Sequence, residues 1–300
     1  MAFNLDLTDI KGYVANKEDI LVSKVVTGTE TAKMFNVQNG ITTDTAIHGL
    51  ITSLSIQDGT NCGFNAEGSQ KITKRILEPS YMKVNATYCP KDFYGTYKHY
   101  ETKVAMGKSP LPLEEALVED IVKSIAVENE RLLWSGNELS GDLINGLTTI
   151  IASDSAIPSA NKFTSSETSV LKRLNEMYVK VGDKRVKAFI SSAMYRQLIT
   201  ELIAENYVAT FHDDNIDKSI QRFILPGTNF EVYGVDGIAD TDTKIYGLIP
   251  EEVFVGMDNT EDASTFDLFW SEDDRVYKLV VEWVLAINYM YSDNVYVFGV

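Results

Sequence analysis

The most regular hydrophobic pattern in the chain lies at residues 113–134. Leu113, Leu117, Ile121 and Ile125 recur at every fourth position, with Ala116, Val118, Val122 and Ala126 beside them, so one stripe of a helix is apolar. Pro112 suits a first helical turn, Glu114 and Glu115 complement the positive end of the helix, and Ser135-Gly136-Asn137 stops it after Leu132-Leu133-Trp134. A second helix is predicted from the capping box Thr164-Ser165-Ser166-Glu167, with Val170, Leu171, Leu174, Met177, Tyr178 and Val181 on one face and Gly182-Asp183 as its close. Val186–Ile190 then reads as a short strand. Ser191 or Ser192 caps a third helix that carries Leu198, Ile199, Leu202 and Ile203.

Period two dominates the last third, which predicts strands at Phe230–Val235, Lys244–Leu248, Glu252–Met257, Phe266–Trp270, Arg275–Tyr289 and Asn294–Phe298. In the longest, Tyr277, Leu279, Val281, Trp283, Leu285 and Ile287 share one face, and Lys278, Glu282 and Asn288 fall on the other. So long an apolar face calls for a helix across it. The 113–134 helix has the matching length, roughly 33 Å at ~1.5 Å per residue.

Residues 41–89 predict a two-stranded excursion. Thr45–Ile56 runs out, Gln57-Asp58-Gly59-Thr60-Asn61 turns, Gly63 and Gly68 lengthen the tip, and Lys71–Tyr88 returns with a break at Pro79. Each limb of ~12 residues reaches about 40 Å when extended. A lone hairpin of that kind is marginal in water, so it needs a surface to lie on, and a neighbouring subunit is the economical choice. Residues 1–35 are polar with scattered apolar positions such as Val22, Val25 and Val26, and predict an arm that orders on a partner.

Charge sharpens this picture. The net charge of -16 argues against a protein that grips nucleic acid by its phosphates. Residues 1–110 carry 12 Lys/Arg against 11 Asp/Glu, whereas residues 111–300 carry 15 against 32. A near-neutral first third could thus rest on the acidic body of another copy; a merely solubilising acidic surface is the plainer alternative. With 44% hydrophobic and 23% charged residues the chain reads as folded, and its 15 Tyr fit interfaces that are half buried and half wet. The opening residues have neither a basic nor an apolar leader region, and the apolar run Leu279–Ile287, interrupted by Glu282, is too short to span a membrane. Cys62 and Cys89 are expected to be unpaired thiols in a reducing compartment.

Recognisable active-site chemistry is missing. His48, His99 and His212 lie at no metal-ligand spacing, and His212-Asp213-Asp214 reads as a solvated acidic loop. There is no phosphate-binding glycine loop and no Gly-x-Ser-x-Gly motif. The adjacent pairs Glu251-Glu252 and Asp273-Asp274 point to opposite faces of a strand and make poor acid–base pairs. No catalytic, cofactor-binding or metal residue is predicted, no cofactor, and no enzyme activity.

The order arm, long hairpin, long helix, small α/β region and terminal sheet defines an α+β chain. It resembles the Hong Kong 97-type major capsid proteins of tailed bacteriophages. The resemblance runs through the helix end Ala126-Val127-Glu128-Asn129-Glu130-Arg131-Leu132-Leu133-Trp134-Ser135-Gly136-Asn137 and the turn Asn145-Gly146-Leu147. It continues through the helix–strand–helix at Glu167–Val181, Val186–Ile190 and Ala193–Glu205 with Tyr195, and the long closing strands. The segments Gln57–Phe64, Arg75-Ile76-Leu77 and Lys83-Val84-Asn85 are similar to capsid proteins from phages of gut Bacteroidetes.

The resemblance implies an N-terminal arm at 1–40, an extended loop at 41–88, a peripheral domain from 89–145 and 230–300 with 113–134 as its spine helix, and an axial domain at 146–229. It implies a structural subunit that self-assembles into hexamers and pentamers of an icosahedral virion shell, built in the host bacterial cytoplasm. The implied partners are further copies of itself, a portal and a separate scaffolding protein. Double-stranded DNA is enclosed, not specifically bound, and no membrane is involved. Asp58, Gly59, Phe64, Lys71, Lys74 and Arg75 are the implied inter-subunit contacts of the extended loop. Some members of this family form Lys–Asn cross-links; Lys71 and Lys74 with Asn288 and Asn294 are the candidates here, and ordinary surface residues are the expectation. The alternatives are an encapsulin-like compartment, for which no cargo-binding signal is visible, and a phage tail-tube protein, against which the long helix counts. A soluble binding module or an enzyme with an unrecognised site is the reading from another class.

Overall fold

A 23-residue helix and a 14-residue strand organise the chain. The computed structural model describes residues 28–58, 67–89, 113–182, 185–205, 221–225, 227–258 and 265–299. In chain order these form α1 (Glu30–Met34), β1 (Asn36–Gln38), β2 (Thr45–Leu54), β3 (Gly68–Leu77), β4 (Ser80–Tyr88), α2 (Leu113–Ser135), α3 (Leu147–Ser153), β5 (Lys162–Phe163) and α4 (Val170–Val181). There follow β6 (Lys187–Ser191), α5 (Ser192–Ala204), β7 (Gln221–Ile224), β8 (Glu231–Val235), β9 (Ile245–Leu248), β10 (Val253–Asp258), β11 (Thr265–Ser271), β12 (Val276–Tyr289) and β13 (Tyr296–Phe298). Residues 1–27 of the expected arm, Gly59, Cys62, Phe64, His99 and the 212–214 loop lie outside the described residues.

β12 is the axis of a five-stranded sheet, with β10 and β11 end to end along one edge, β4 on the other, and β1 parallel to β10. Its predicted apolar face is the observed one. Leu279, Val281, Trp283, Leu285 and Ile287 share a core with Val118, Val122, Ile125 and Leu133 of α2. The buried Trp283 indole donates to Asn129 Oδ1 on α2 at 3.2 Å, which satisfies the one polar atom the ring brings inside.

The return limb of the excursion divides where Pro79 breaks it. β3 pairs with β2 as far as Leu77, and β4 instead pairs with β12 along Ser80–Tyr88. Met82, Val84 and Ala86 thereby join the sheet's inner face. The hairpin is thus shorter than the expected 41–88 loop.

A second sheet of six strands runs β5-β13-β9-β6-β8-β7. Phe189, Tyr246 and Leu248 belong to the first core, while Ala188, Ile190 and Ile245 belong to a second core with α4 and α5. All four residues of β9 are buried. The expected peripheral span 230–300 is therefore divided between the two sheets, because β8 and β9 pair with β6 and β13 pairs with β9. Strands apolar on both faces fit only where both faces are covered.

The root of the expected arm also differs. Residues 28–38 of the expected arm pack on their own chain. Thr29 Oγ1 accepts the Ala32 amide at 3.2 Å to cap α1. Buried Thr31 donates its amide to Glu130 Oε2 at 3.0 Å and its hydroxyl to Glu130 Oε1, and accepts the Trp134 indole at 2.6 Å. Phe35, Trp134 and Phe189 then meet with centroids 5.3–5.7 Å apart, which ties α1, α2 and β6 together.

Candidate functional site

The two faces of the β2–β3 hairpin have different fates. At its root one face turns to the body. Ile47 and Leu77 are buried with Ile41, Ala286 and Met290, and Gly49 lies against the Tyr291 ring edge, where a Cβ would sit 2.6 Å from the hydroxyl. On the other face the register pairs Ala46 with Ile76, His48 with Lys74, Leu50 with Ile72 and Leu54 with Gly68. That face is open along its length: Leu54 is 80% exposed, Ile72 72%, Leu50 58% and Ile76 40%. Burying one such side chain is worth roughly 1.5–3 kcal/mol, so the face holds binding energy that its own chain does not use. Between Thr45–Leu54 and Gly68–Leu77 the ionisable residues are His48, Lys71, Lys74 and Arg75, with no carboxylate among them. The strand pair is basic while the body is acidic.

The implied contact residues separate on this geometry. Lys71 and Lys74 are exposed on the strand pair, and Asp58 is exposed just past β2. Arg75 is engaged within its own chain. Its Nη2 donates to Asp154 Oδ2 and to Ser292 Oγ, and its guanidinium stacks 4.5 Å from the centroid of the Tyr289 ring. Arg75 therefore anchors the hairpin root instead of reaching outward. Asp154 also accepts the Tyr289 hydroxyl at 2.5 Å, the Ser292 hydroxyl at 3.0 Å and the Ala156 amide at 2.7 Å. Burial pushes the Asp154 carboxyl up, but the hydrogen bonds from Tyr289, Arg75, Ala156 and Ser292 outweigh it and hold the group below the usual carboxylate range. Burial, then the bond to Asp154, pushes the Tyr289 phenol up.

Neither cross-link candidate on β12 and beyond is idle. Asn288 donates to the Ile76 carbonyl at 2.8 Å, and Asn294 donates to both oxygens of Glu252 at 2.9 Å. Asp154, Tyr289, Tyr291 and Ser292 escaped the sequence reading because they meet the hairpin from far along the chain, and no local spacing marks them. No cluster of His, Cys, Asp or Glu able to hold a metal occurs among the described residues, nor any helix long and apolar enough to cross a membrane.

Two sheets sharing a long helix, with a protruding hairpin, define an architectural class, and comparison with solved structures gives its name. No protein-family model matches the sequence, and no curated protein is similar to it. Among solved structures, the chain is similar to one from Microbacterium phage Oxtober96, at 12% identity and a TM-score of 0.57 over 90% of each chain. It is similar to one from the procapsid of satellite phage P4 with its size determination protein, at 11% identity and a TM-score of 0.55 over 94% of this chain and 90% of that one. It is also similar to the holo-SrpI encapsulin complex of Synechococcus elongatus, at 9% identity and a TM-score of 0.52 over 90% and 87%. The chain has the α+β Hong Kong 97-type capsid fold.

Proposed function

We propose that this protein is the structural subunit of a closed protein shell, the major capsid protein of a tailed bacteriophage. One observation carries the reading: the outward face of the hairpin exposes Leu50, Leu54, Ile72 and Ile76 on a basic strand pair. A face like this is costly on a lone soluble protein and useful on a subunit whose acidic neighbour covers it. Lys74 lies within the apolar stripe, paired with His48 between Ile72 and Ile76, and would set its register on that neighbour; Lys71 is exposed on the other face of the strand pair and Asp58 beyond its end. Copies related by closed rotation would form hexamers and pentamers, each hairpin lying on the next copy. The shell would enclose double-stranded DNA without gripping it, since the chain's charge of -16 offers phosphates no general attraction. Assembly would take place in the bacterial cytoplasm with a portal and a separate scaffolding protein. The resemblance of segments 57–64, 75–77 and 83–85 supports a phage of gut Bacteroidetes as the source.

Negative-stain microscopy of the purified protein tests this. Round shells are expected; a stable monomer would overturn it, and tubes would favour the tail-tube reading. The likeness to an encapsulin complex supports a second reading, a cargo compartment of the same fold. The contents separate the two: co-purifying DNA favours the capsid, and a co-purifying enzyme favours the compartment.

A further inference from the structure

We propose that Asp154 is the positioning residue that fixes the angle and roll at which the hairpin leaves the body. This rests on the reading of the hairpin as the inter-subunit contact. Two distant segments converge on one carboxylate, β3 through Arg75 and the end of β12 with the turn that follows through Tyr289 and Ser292, while the local Ala156 amide just past α3 holds its other oxygen. The apolar root formed by Ile41, Ile47, Leu77, Ala286 and Met290 supplies attraction but little direction, because hydrophobic contact is non-directional. A charge-assisted hydrogen bond from a guanidinium stacked on the Tyr289 ring, with the Tyr289 and Ser292 hydroxyls on the same carboxylate oxygen, supplies direction.

The consequence reaches the outward face through the pleat. Side chains alternate along β3, so holding Arg75 against the body commits Ile72, Lys74 and Ile76 to the opposite side. The same node joins the hairpin to the segment that follows α3. A shift of α3 against β12 would therefore be transmitted to the hairpin, and docking of the hairpin would be felt at α3.

The test uses the full chain, dilute and unassembled, and reads trypsin cleavage at Lys71 and Lys74. Asp154→Asn and Arg75→Gln are each expected to raise the cleavage rate about ten-fold, by freeing a local opening that the node suppresses. The double variant should cleave no faster than either single, because both remove one interaction. Leu174→Ala, in the second core, lowers the melting temperature without touching the hairpin and should leave the cleavage rate unchanged. If Asp154→Asn does not fold, Arg75→Lys keeps the charge but loses the planar guanidinium stacked on Tyr289, and should show the same direction. Unchanged cleavage in the folded variants, or singles whose effects multiply in the double, overturns the proposal. The outcome does not depend on shells forming. Absence of shells from the wild-type chain would count against the shell reading while leaving the node standing; wild-type shells with unchanged cleavage in Asp154→Asn would do the reverse.

Discussion

Gly136 and Gly146 close the turn after α2 by backbone-to-backbone contact. Gly146 donates its amide to Gly136 O at 2.8 Å, and a Cβ on Gly146 would lie 2.5 Å from the Trp134 carbonyl oxygen and 2.6 Å from the Gly136 nitrogen. Neither neighbour is a side chain that can swing away. Gly146→Ala is expected to cost about 1–3 kcal/mol, read as a fall in the urea midpoint with an unchanged slope. The sequence marked Gly136 as the stop of the long helix, and the resemblance to the capsid family implied the turn at Gly146. The sequence did not mark Glu130 as a buried acid, because its solvent-shielded position depends on α1 arriving from far away. Burial raises the Glu130 carboxyl above its ordinary value, partly offset by its bonds to Thr31. The folded chain thus keeps a proton over a pH window in which the unfolded chain has lost it, so stability falls as pH rises through that window. Thermal melts from about pH 4 to about pH 8 should show this decline in the wild type and a flatter profile in Glu130→Gln.

Helices and strands were legible where a strong period ran uninterrupted, as in α2 and β12. Starts and stops were less so. The predicted capping box at Thr164–Glu167 does not open α4, which starts at Val170 with Ser169 as its cap. Glu201 of α5 replaces the local acid: it accepts the Val170 and Leu171 amides at 3.2 and 3.0 Å and the Ser169 hydroxyl at 2.8 Å. Burial pushes the Glu201 carboxyl up, and those bonds bring it below its usual range on balance. α5 itself uses Ser191, whose hydroxyl accepts the Met194 amide at 3.4 Å, one of the two caps the sequence allowed. Strands β1, β5 and β7 are too short to show a period and were missed. For the hairpin, Leu54→Ser and Ile72→Ser remove apolar surface the isolated chain leaves exposed. Each is expected to move the stability of the unassembled chain by no more than about 0.5 kcal/mol. Their combination should abolish shells in the microscope while melting close to the wild type.

At the scale of the molecule, the two sheets share α2 and the Phe35–Trp134–Phe189 contact, so the body is self-sufficient while the hairpin's far half and outward face are not. That asymmetry fits the proposed shell subunit: a packed body and a projection whose apolar face its own chain leaves exposed. Covalent linkage between copies is not needed to explain it. With Asn288 and Asn294 both engaged within the chain, purified shells are expected to run as a single band at 33.5 kDa on a denaturing gel. A ladder of multiples would show that cross-links form and that these asparagines are released on assembly.

Periodicity alone determined the long helix, the apolar face of the long strand, the two flanking helices and the existence of a hairpin, because each depends on residues a few positions apart. Only the tertiary structure decided that Pro79 separates hairpin from sheet, that β8 and β9 pair with β6 and β13 with β9, and that Arg75 is spent at the root on Asp154. Those outcomes are contacts between residues tens to hundreds of positions apart, and their energy depends on burial and geometry that no local spacing encodes.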